Sequence, residues 1–302
     1  MQILINEIPN RRSFYLRDED DRRYKIPCYY DKEDISGIIS ISLTSKSFEH
    51  KGIVMELLGL IQLTGETTST SQFITLSKEI CTPGKLTQPL NRFEFVFRNV
   101  EKSYETYHGN ECSVKYILRC TIKTSLRNLQ WEREFGVSNP LKRASVLSKD
   151  NESIKMEVGI DEWLHLSVLL DQSKLGIKDC ITGKVEFKKV SMKLKNMLLQ
   201  VIKRETIIGL YEDNTVVCKF EIMDGAPVKN ETVPIRFFLK PYELTPTYQN
   251  VNNKFSVKYF VNLVLYDINE KRYYKQHEIE LFRILREKKN KSEDEKKEEK
   301  IK

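Results

Sequence analysis

The segment nearest to a nucleotide-binding motif is GIKDCITGKV at residues 176–185. A phosphate-binding loop needs glycines at a fixed spacing, so that backbone N–H groups surround the phosphates, followed by a lysine and a hydroxyl residue. Here the glycines are two residues too far apart, and Val185 stands where the hydroxyl is required. We therefore interpret this segment as a turn followed by a strand.

The residues that could support nucleophilic or metal chemistry are scattered along the chain. The four histidines occur singly, none of the six cysteines forms a C-x-x-C pair, and no G-x-S-x-G motif is present. Zinc sites use ligands at short or hairpin-compatible spacing. The sequence therefore predicts no metal site, no cofactor, no enzymatic activity and cysteines that stay reduced. The alternative from the enzyme class is a β-sandwich hydrolase whose active site forms from distant residues.

A different kind of candidate lies in FEIMDGAPV, residues 220–228. Ile222 and Met223 are adjacent, and neighbouring side chains of a strand point to opposite faces, so one of them should face solvent. Asp224 and Gly225 then predict a turn. Two interpretations remain open. Either the pair anchors a partner protein, or one residue completes the core and the other is merely tolerated outside.

The elements that would position such a turn are strands, because apolar residues alternate with polar ones. This period of two is typical of half-buried antiparallel strands. It appears in five segments: 35–43, 93–97, 114–122, 233–239 and 255–265. The predicted fold class is all-β.

Two landmarks occur twice in the same order. SVKY is found at 113–116 and 256–259, and DISGIISI at 34–41 has a counterpart in CITGKVEF at 180–187. Repetition in the same order at nearly equal offsets, 143 residues for SVKY and 146 for the glycines, indicates tandem domains. We predict two antiparallel β-sandwiches, at 1–147 and 148–285, and a charged tail at 286–302 that is helical or disordered.

Composition limits the classes of function. The chain has 302 residues, 40% of them hydrophobic, and a net charge of +7. This small excess of positive charge allows weak attraction to anionic lipid. It does not by itself indicate a nucleic-acid-binding protein. The basic stretch 183–205 is interpreted either as a landing surface for acidic lipid or protein, or as a solvated face that protects a sheet edge. The most apolar stretch, 52–63, is too short to cross a bilayer and contains Glu56, and we expect a cytoplasmic protein.

Several longer segments resemble one known family. These are SIKMEVGIDEWLHL (153–166), FEIMDGAPVKNETVPIRFFL (220–239), NKFSVKYFVNLVL (253–265) and RYYKQHEIELFR (272–283). In the same order, they are similar to the arrestin-like small subunit of retromer, an endosomal sorting coat. The resemblance covers residues 31–283 and implies two tandem arrestin-like sandwiches in a non-catalytic adaptor.

The resemblance also implies a docking site. In the family, the loop that matches Ile222, Met223, Asp224 and Gly225 binds the N-terminal end of retromer's large α-solenoid subunit. The implied location is the cytosolic face of endosomes, with peripheral and indirect membrane association. The alternative is an arrestin-like trafficking adaptor that acts outside retromer by binding receptors directly.

A second implied site is a groove where a sorting nexin meets the cytosolic tail of a membrane cargo. The carried-over residues lie on two predicted strands and are Met156, Glu157, Val158, Gly159 and Tyr274. The family commonly has phenylalanine at the position of Tyr274, so this hydroxyl would need a partner or water.

Overall fold

A computed structural model of the chain describes residues 2–6, 12–17, 22–64, 68–146, 151–209 and 211–285. The predicted tail, 286–302, lies outside these residues, as does residue 147 at the predicted domain boundary. Across the described residues the chain forms twenty-two strands and one four-residue helix. The all-β prediction is confirmed. No helix in this part of the chain is long and apolar enough to span a membrane.

The residues form two compact units. The first comprises Met1–Asn139, Arg204–Asp213 and Tyr248–Val257, and the second comprises the remaining residues from Pro140 onwards. No pattern in the sequence indicated that two short later segments belong to the first unit.

The first twelve strands belong to the first unit. They are β1 (Gln2–Asn6), β2 (Ser13–Arg17), β3 (Arg23–Tyr29), β4 (Ile35–Ser42), β5 (Phe48–His50), β6 (Ile53–Leu63), β7 (Ser69–Cys81), β8 (Gly84–Leu86), β9 (Leu90–Phe97), β10 (Tyr107–His108), β11 (Cys112–Ile122) and β12 (Leu129–Val137). One sheet has the order β2-β3-β12-β11-β6-β7, with β10 paired to β11. A second has the order β1-β4-β9, and β5 pairs with β8. Alternate residues of β11 are buried, as the period of two requires.

Helix α1 (Arg143–Val146) is followed by ten further strands. They are β13 (Ile154–Ile160), β14 (Leu164–Leu170), β15 (Lys174–Gly176), β16 (Cys180–Val190), β17 (Leu194–Ile207), β18 (Tyr211–Asp224), β19 (Thr232–Phe238), β20 (Tyr248–Val251), β21 (Phe255–Asp267) and β22 (Arg272–Phe282). One sheet has the order β13-β14-β16-β19. The other has the order β15-β22-β21-β17-β18, with β20 paired to β21.

The repeated sequences occupy equivalent places. Each SVKY lies in a central strand, β11 or β21, of the larger sheet of its set. The tyrosine of each copy also holds a segment upstream: the Tyr116 hydroxyl donates to the carbonyl of Tyr104 at 2.7 Å, and the Tyr259 hydroxyl lies 2.9 Å from Thr245 Oγ1. In both copies, the tyrosine is therefore buried in its strand and hydrogen-bonded to the segment that precedes it.

We expect substitution by alanine to destabilise the protein at Gly183 but not at Gly159. A Cβ at Gly183, in β16, would overlap the backbone carbonyl oxygen of Leu169, whereas a Cβ at Gly159 would meet nothing within 4 Å. We expect Gly183→Ala to lower the free energy of unfolding by about 1–3 kcal/mol, because β14 has to move aside. Gly159→Ala is the matched control and should unfold like the wild type.

The measurement is urea unfolding followed by tryptophan fluorescence and circular dichroism. Equal stability of the two variants would contradict the close packing of β16 on β14.

Candidate partner-binding site

Strand β18 resolves which member of the apolar pair faces outward. Cys218 is buried, and Phe220, although 46% exposed, stacks on the buried Phe237 of the opposite sheet, with ring centroids 5.8 Å apart. Because faces alternate along a strand, Ile222 shares this inward face and Met223 lies on the outer face. Both side chains are half-buried rather than sealed in the core. The last residues of β18 before the loop therefore keep part of their apolar surface accessible to solvent.

The turn that follows is held by backbone geometry. Gly225 has φ of +91°, a conformation that favours glycine, and its N–H donates to the Lys195 carbonyl at 2.7 Å. The Lys195 ammonium in turn lies 2.8 Å from a carboxylate oxygen of Glu270. This hydrogen bond raises the pKa of Lys195 and lowers the pKa of Glu270. The Asp224–Gly225 turn is therefore tied to the beginning of β17.

The loop after the turn presents an apolar residue that sequence reasoning missed. Val228 is 67% exposed, and its N–H donates to the Glu231 carboxylate at 2.8 Å. The Glu231 N–H donates back to the Val228 carbonyl at 3.1 Å, and Asn230 N–H donates to the Phe187 carbonyl at 2.7 Å. The only sequence signal that could have indicated this residue is its apolar side chain between Pro227 and Lys229. These bonds hold Val228 in an ordered, outward position beside the turn.

The four predicted groove residues of β13 divide between two faces. Met156 and Val158 are buried, whereas Glu157 and Gly159 are exposed. Hydrogen bonds from Lys155 and Lys188 lower the pKa of Glu157. The Val158 side chain therefore belongs to the core, and only the backbone of that residue is available at the strand edge. No strand in the described ranges pairs with the outer edge of β13.

Tyr274 lies near the beginning of β22 and is 61% exposed. The Arg272 guanidinium carbon is 5.2 Å from its ring centroid, within cation–π range. At this exposure the hydroxyl can be hydrogen-bonded by water. Strand β15 pairs with β22 only at Glu280–Phe282, so in the part of the chain described here the earlier residues of β22 have β21 alone as a strand partner. β13 and β22 lie close together.

Backbone hydrogen bonds bring the loops of both predicted sites to one end of the second unit. The Ser191 N–H donates to the Trp163 carbonyl at 2.7 Å, and the Ile268 N–H donates to the Lys193 carbonyl at 3.2 Å. Together with the Gly225–Lys195 bond, these contacts connect the loops that end β13, β16, β18 and β21. In the larger sheet, β18 and β22 are separated by two strands, which places Met223 and Tyr274 about 14 Å apart across the sheet.

The described residues contain no group of three or more histidine, cysteine or acidic side chains that could hold a metal ion. All six cysteines are free thiols. Burial raises the pKa of Cys120 to about 12 and the pKa of Cys218 to about 11. A thiol needs its deprotonated form to attack an electrophile, so these two are poor nucleophiles.

The fold and the site together define a class of protein. Two units of mostly antiparallel sheet, in which only β3–β12 and β15–β22 pair in parallel among the described strands, with an apolar turn and unpaired strand edges in the second unit, are typical of β-sandwich proteins that bind other proteins. The comparisons with known proteins are specific. The family model described as vacuolar protein sorting-associated protein 26 matches residues 1–270.

Individual relatives agree with the family model. Vacuolar protein sorting-associated protein 26B of Mus musculus is 42% identical over 288 residues, which are 94% of this chain and 84% of that protein. The Homo sapiens protein of the same name is 41% identical with the same coverage, and that of Danio rerio is 40% identical, with 94% and 86% covered. The chain belongs to the vacuolar protein sorting-associated protein 26 family. Membership confirms the resemblance and the arrestin-like fold predicted from it.

The thiol environments predict an order of alkylation. At pH 8, below both raised pKa values, the thiols of Cys120 and Cys218 are almost entirely protonated. We expect iodoacetamide to modify the half-exposed Cys81 and Cys180 well before Cys120 and Cys218, and reaction of the latter two to accelerate as pH rises. Peptide mass spectrometry over a time course measures this. Early labelling of Cys218 would contradict the burial of the inner face of β18.

Proposed function

We propose that this chain is the small, non-catalytic subunit of retromer and docks on the large α-solenoid subunit through Ile222, Met223, Asp224 and Gly225. The observation that carries the proposal is the position of Met223: an apolar side chain on the outer face of an edge strand, directly before a rigid turn. Membership of the vacuolar protein sorting-associated protein 26 family supports it.

The chemistry of the turn suits an anchor. Methionine is flexible and polarisable, so it can fill an irregular pocket between helices of a solenoid. Val228 adds exposed apolar area beside it. Because the glycine conformation and the Gly225–Lys195 hydrogen bond already hold the turn, little conformational entropy is lost when it binds. A few such residues carry most of the binding energy of an interface.

The groove proposal concerns β13 and β22. An extended peptide can add to an unpaired strand edge, where main-chain hydrogen bonds provide affinity and a neighbouring pocket selects a side chain. We propose that a sorting nexin and the cytosolic tail of a membrane cargo meet here. The backbone from Met156 to Gly159 supplies the edge, and Tyr274 supplies an exposed ring. Glu157 lies at the same edge, with its carboxylate paired to Lys155 and Lys188.

These proposed contacts also determine where in the cell the protein acts. The protein acts in the cytoplasm, peripherally on the cytosolic face of endosomes, and it reaches the membrane through the nexin and the cargo. Its mechanism is recognition, and it needs neither a cofactor nor nucleic acid. The names of the relatives, which refer to vacuolar protein sorting, support a role in intracellular protein transport.

The docking proposal predicts a selective effect of Met223→Ser. We expect the affinity for the N-terminal segment of the large subunit to fall by about 2 kcal/mol or more, because an apolar anchor is lost from the centre of the contact. Calorimetry measures the affinity, and thermal melts should show little change. The matched control is Val216→Ser, also on β18 and 48% exposed, but seven residues and about 23 Å from Met223.

Two outcomes would oppose this. If the wild type does not bind the large subunit, direct receptor binding outside retromer becomes the better proposal. If binding is retained and the melting temperature drops by several degrees, Met223 is a core residue and the anchor lies elsewhere.

The groove proposal predicts that Tyr274→Ala weakens capture of a cargo-tail peptide, in the presence of a sorting nexin, by about tenfold, as for loss of an aromatic contact. Tyr274→Phe should bind within twofold of the wild type, since it keeps the exposed aromatic ring. Tyr15→Ala is the control, because Tyr15 is 65% exposed and lies in the first unit. Fluorescence anisotropy of labelled peptide measures all three, and equal losses for Tyr274→Ala and Tyr15→Ala would count against the groove.

A further inference from the structure

A cavity of about 400 Å³ opens in the first unit, where β5 and β8 pair beside the loop that follows β11. The proposed docking function does not use it. The cavity is lined by Glu49, His50, Lys51, Gly84, Lys85 and Ser125. We refer to it as the His50 cavity.

His50, which lines this cavity, has a buried imidazole ring. Only one of its two ring nitrogens, Nδ1, has a hydrogen-bond partner among the described residues. His50 is only 5% exposed, and its Nδ1 accepts the Gly52 N–H at 3.2 Å. Acceptance at Nδ1 places the proton of the neutral ring on Nε2. Burial lowers the pKa of His50, so the ring stays neutral near pH 7. His50 therefore presents an N–H donor at Nε2.

That Nε2 donor is unused within the described residues. It has no hydrogen-bond partner there, yet it is not among the buried polar atoms that are sealed from solvent. His50 is one of the six residues that line the cavity. A donor that is neither sealed from solvent nor used within the described residues can donate to an acceptor oxygen of a ligand.

The backbone around His50 is held firmly. Gly52 has φ of +122°, which turns its N–H back toward the ring. Lys51 N–H donates to the Lys123 carbonyl at 2.7 Å, and Lys123 N–H donates to the Gly52 carbonyl at 2.9 Å. The donor and the adjacent Lys51 are thus positioned in advance of any ligand.

Two ammonium groups flank the opening. Both Lys51 and Lys85 are exposed, and Lys51 forms no ion pair with any described residue. Lys85 has only a loose partner, Glu49, whose carboxylate is 3.8 Å away and whose side chain is 83% exposed. The Ser125 hydroxyl adds a further donor. Two cations, one exposed carboxylate and two neutral donors favour an anion with several acceptor oxygens.

We propose that the His50 cavity binds a phosphate monoester of a small polyol, either free or as the headgroup of a lipid. His50 Nε2 and Ser125 donate to the phosphate oxygens, while Lys51 and Lys85 neutralise its charge, as lysines commonly do for phosphate. The volume exceeds what a phosphate group alone occupies and falls within the range of small-molecule pockets, which leaves room for the polyol.

The test uses the full chain and two probes. One is soluble inositol monophosphate, and the other is phosphatidylcholine vesicles with or without phosphatidylinositol monophosphate. Calorimetry and vesicle co-sedimentation measure binding, and ¹⁵N spectra of the histidine side chains follow His50 Nε2. We expect the Nε2 resonance to shift, and the variant K51Q/K85Q to lose at least tenfold in affinity. The control K25Q/K115Q removes the same charge from other parts of the first unit and should bind within twofold of the wild type.

Each result has a defined meaning. Binding of the soluble probe alone supports the proposal with a free ligand, and binding that requires the lipid in vesicles supports it with a headgroup. Failure of the wild type to bind either probe overturns it. Equal losses in the two double variants overturn it as well, because net charge alone would then explain the attraction.

Discussion

Every backbone N–H and C=O group of a sheet needs a hydrogen-bond partner. In an open sheet, the outer edges of the two outermost strands leave a row of these groups unpaired. In the second unit this constraint locates the strand edges on which the proposed partner sites depend. β13 ends one sheet and β18 ends the other. The candidate residues lie on these edge strands or on the part of β22 beyond β15. Exposed edges are an aggregation risk for a protein without partners, whereas in an adaptor they are positions where another chain can complete the sheet.

The two proposed partner surfaces share structural support. The loops that end β13, β16, β18 and β21 are joined by backbone hydrogen bonds, and the Lys195–Glu270 pair connects the base of the docking turn to the loop before β22. Met223 and Tyr274 are separated by about 14 Å across the larger sheet. The first unit supplies a different chemistry, because its cavity contains a neutral histidine donor between lysines instead of an apolar anchor.

Much of the fold could be predicted from sequence, since alternation of apolar residues is a local consequence of strand geometry. The two SVKY copies correctly indicated equivalent central strands. The assignment of Tyr274 and the turn to partner binding came from family resemblance, and it remains a proposal. Val228 was overlooked because a single apolar residue in a loop has no period. His50 was interpreted as one more isolated histidine, since the cavity around it forms from segments up to 75 residues apart, as from His50 to Ser125.

The sequence alone determined the fold class, the positions of the strands and the apolar character of the turn at 222–225, because these depend on neighbours along the chain. Only the tertiary structure decided which of Ile222 and Met223 faces outward, through the stacking of Phe220 on Phe237. It also decided that Val158 is core while Tyr274 is exposed, and that residues 204–213 and 248–257 belong to the first unit. Burial depends on which strands come together across the sheets, and that information is not local in sequence.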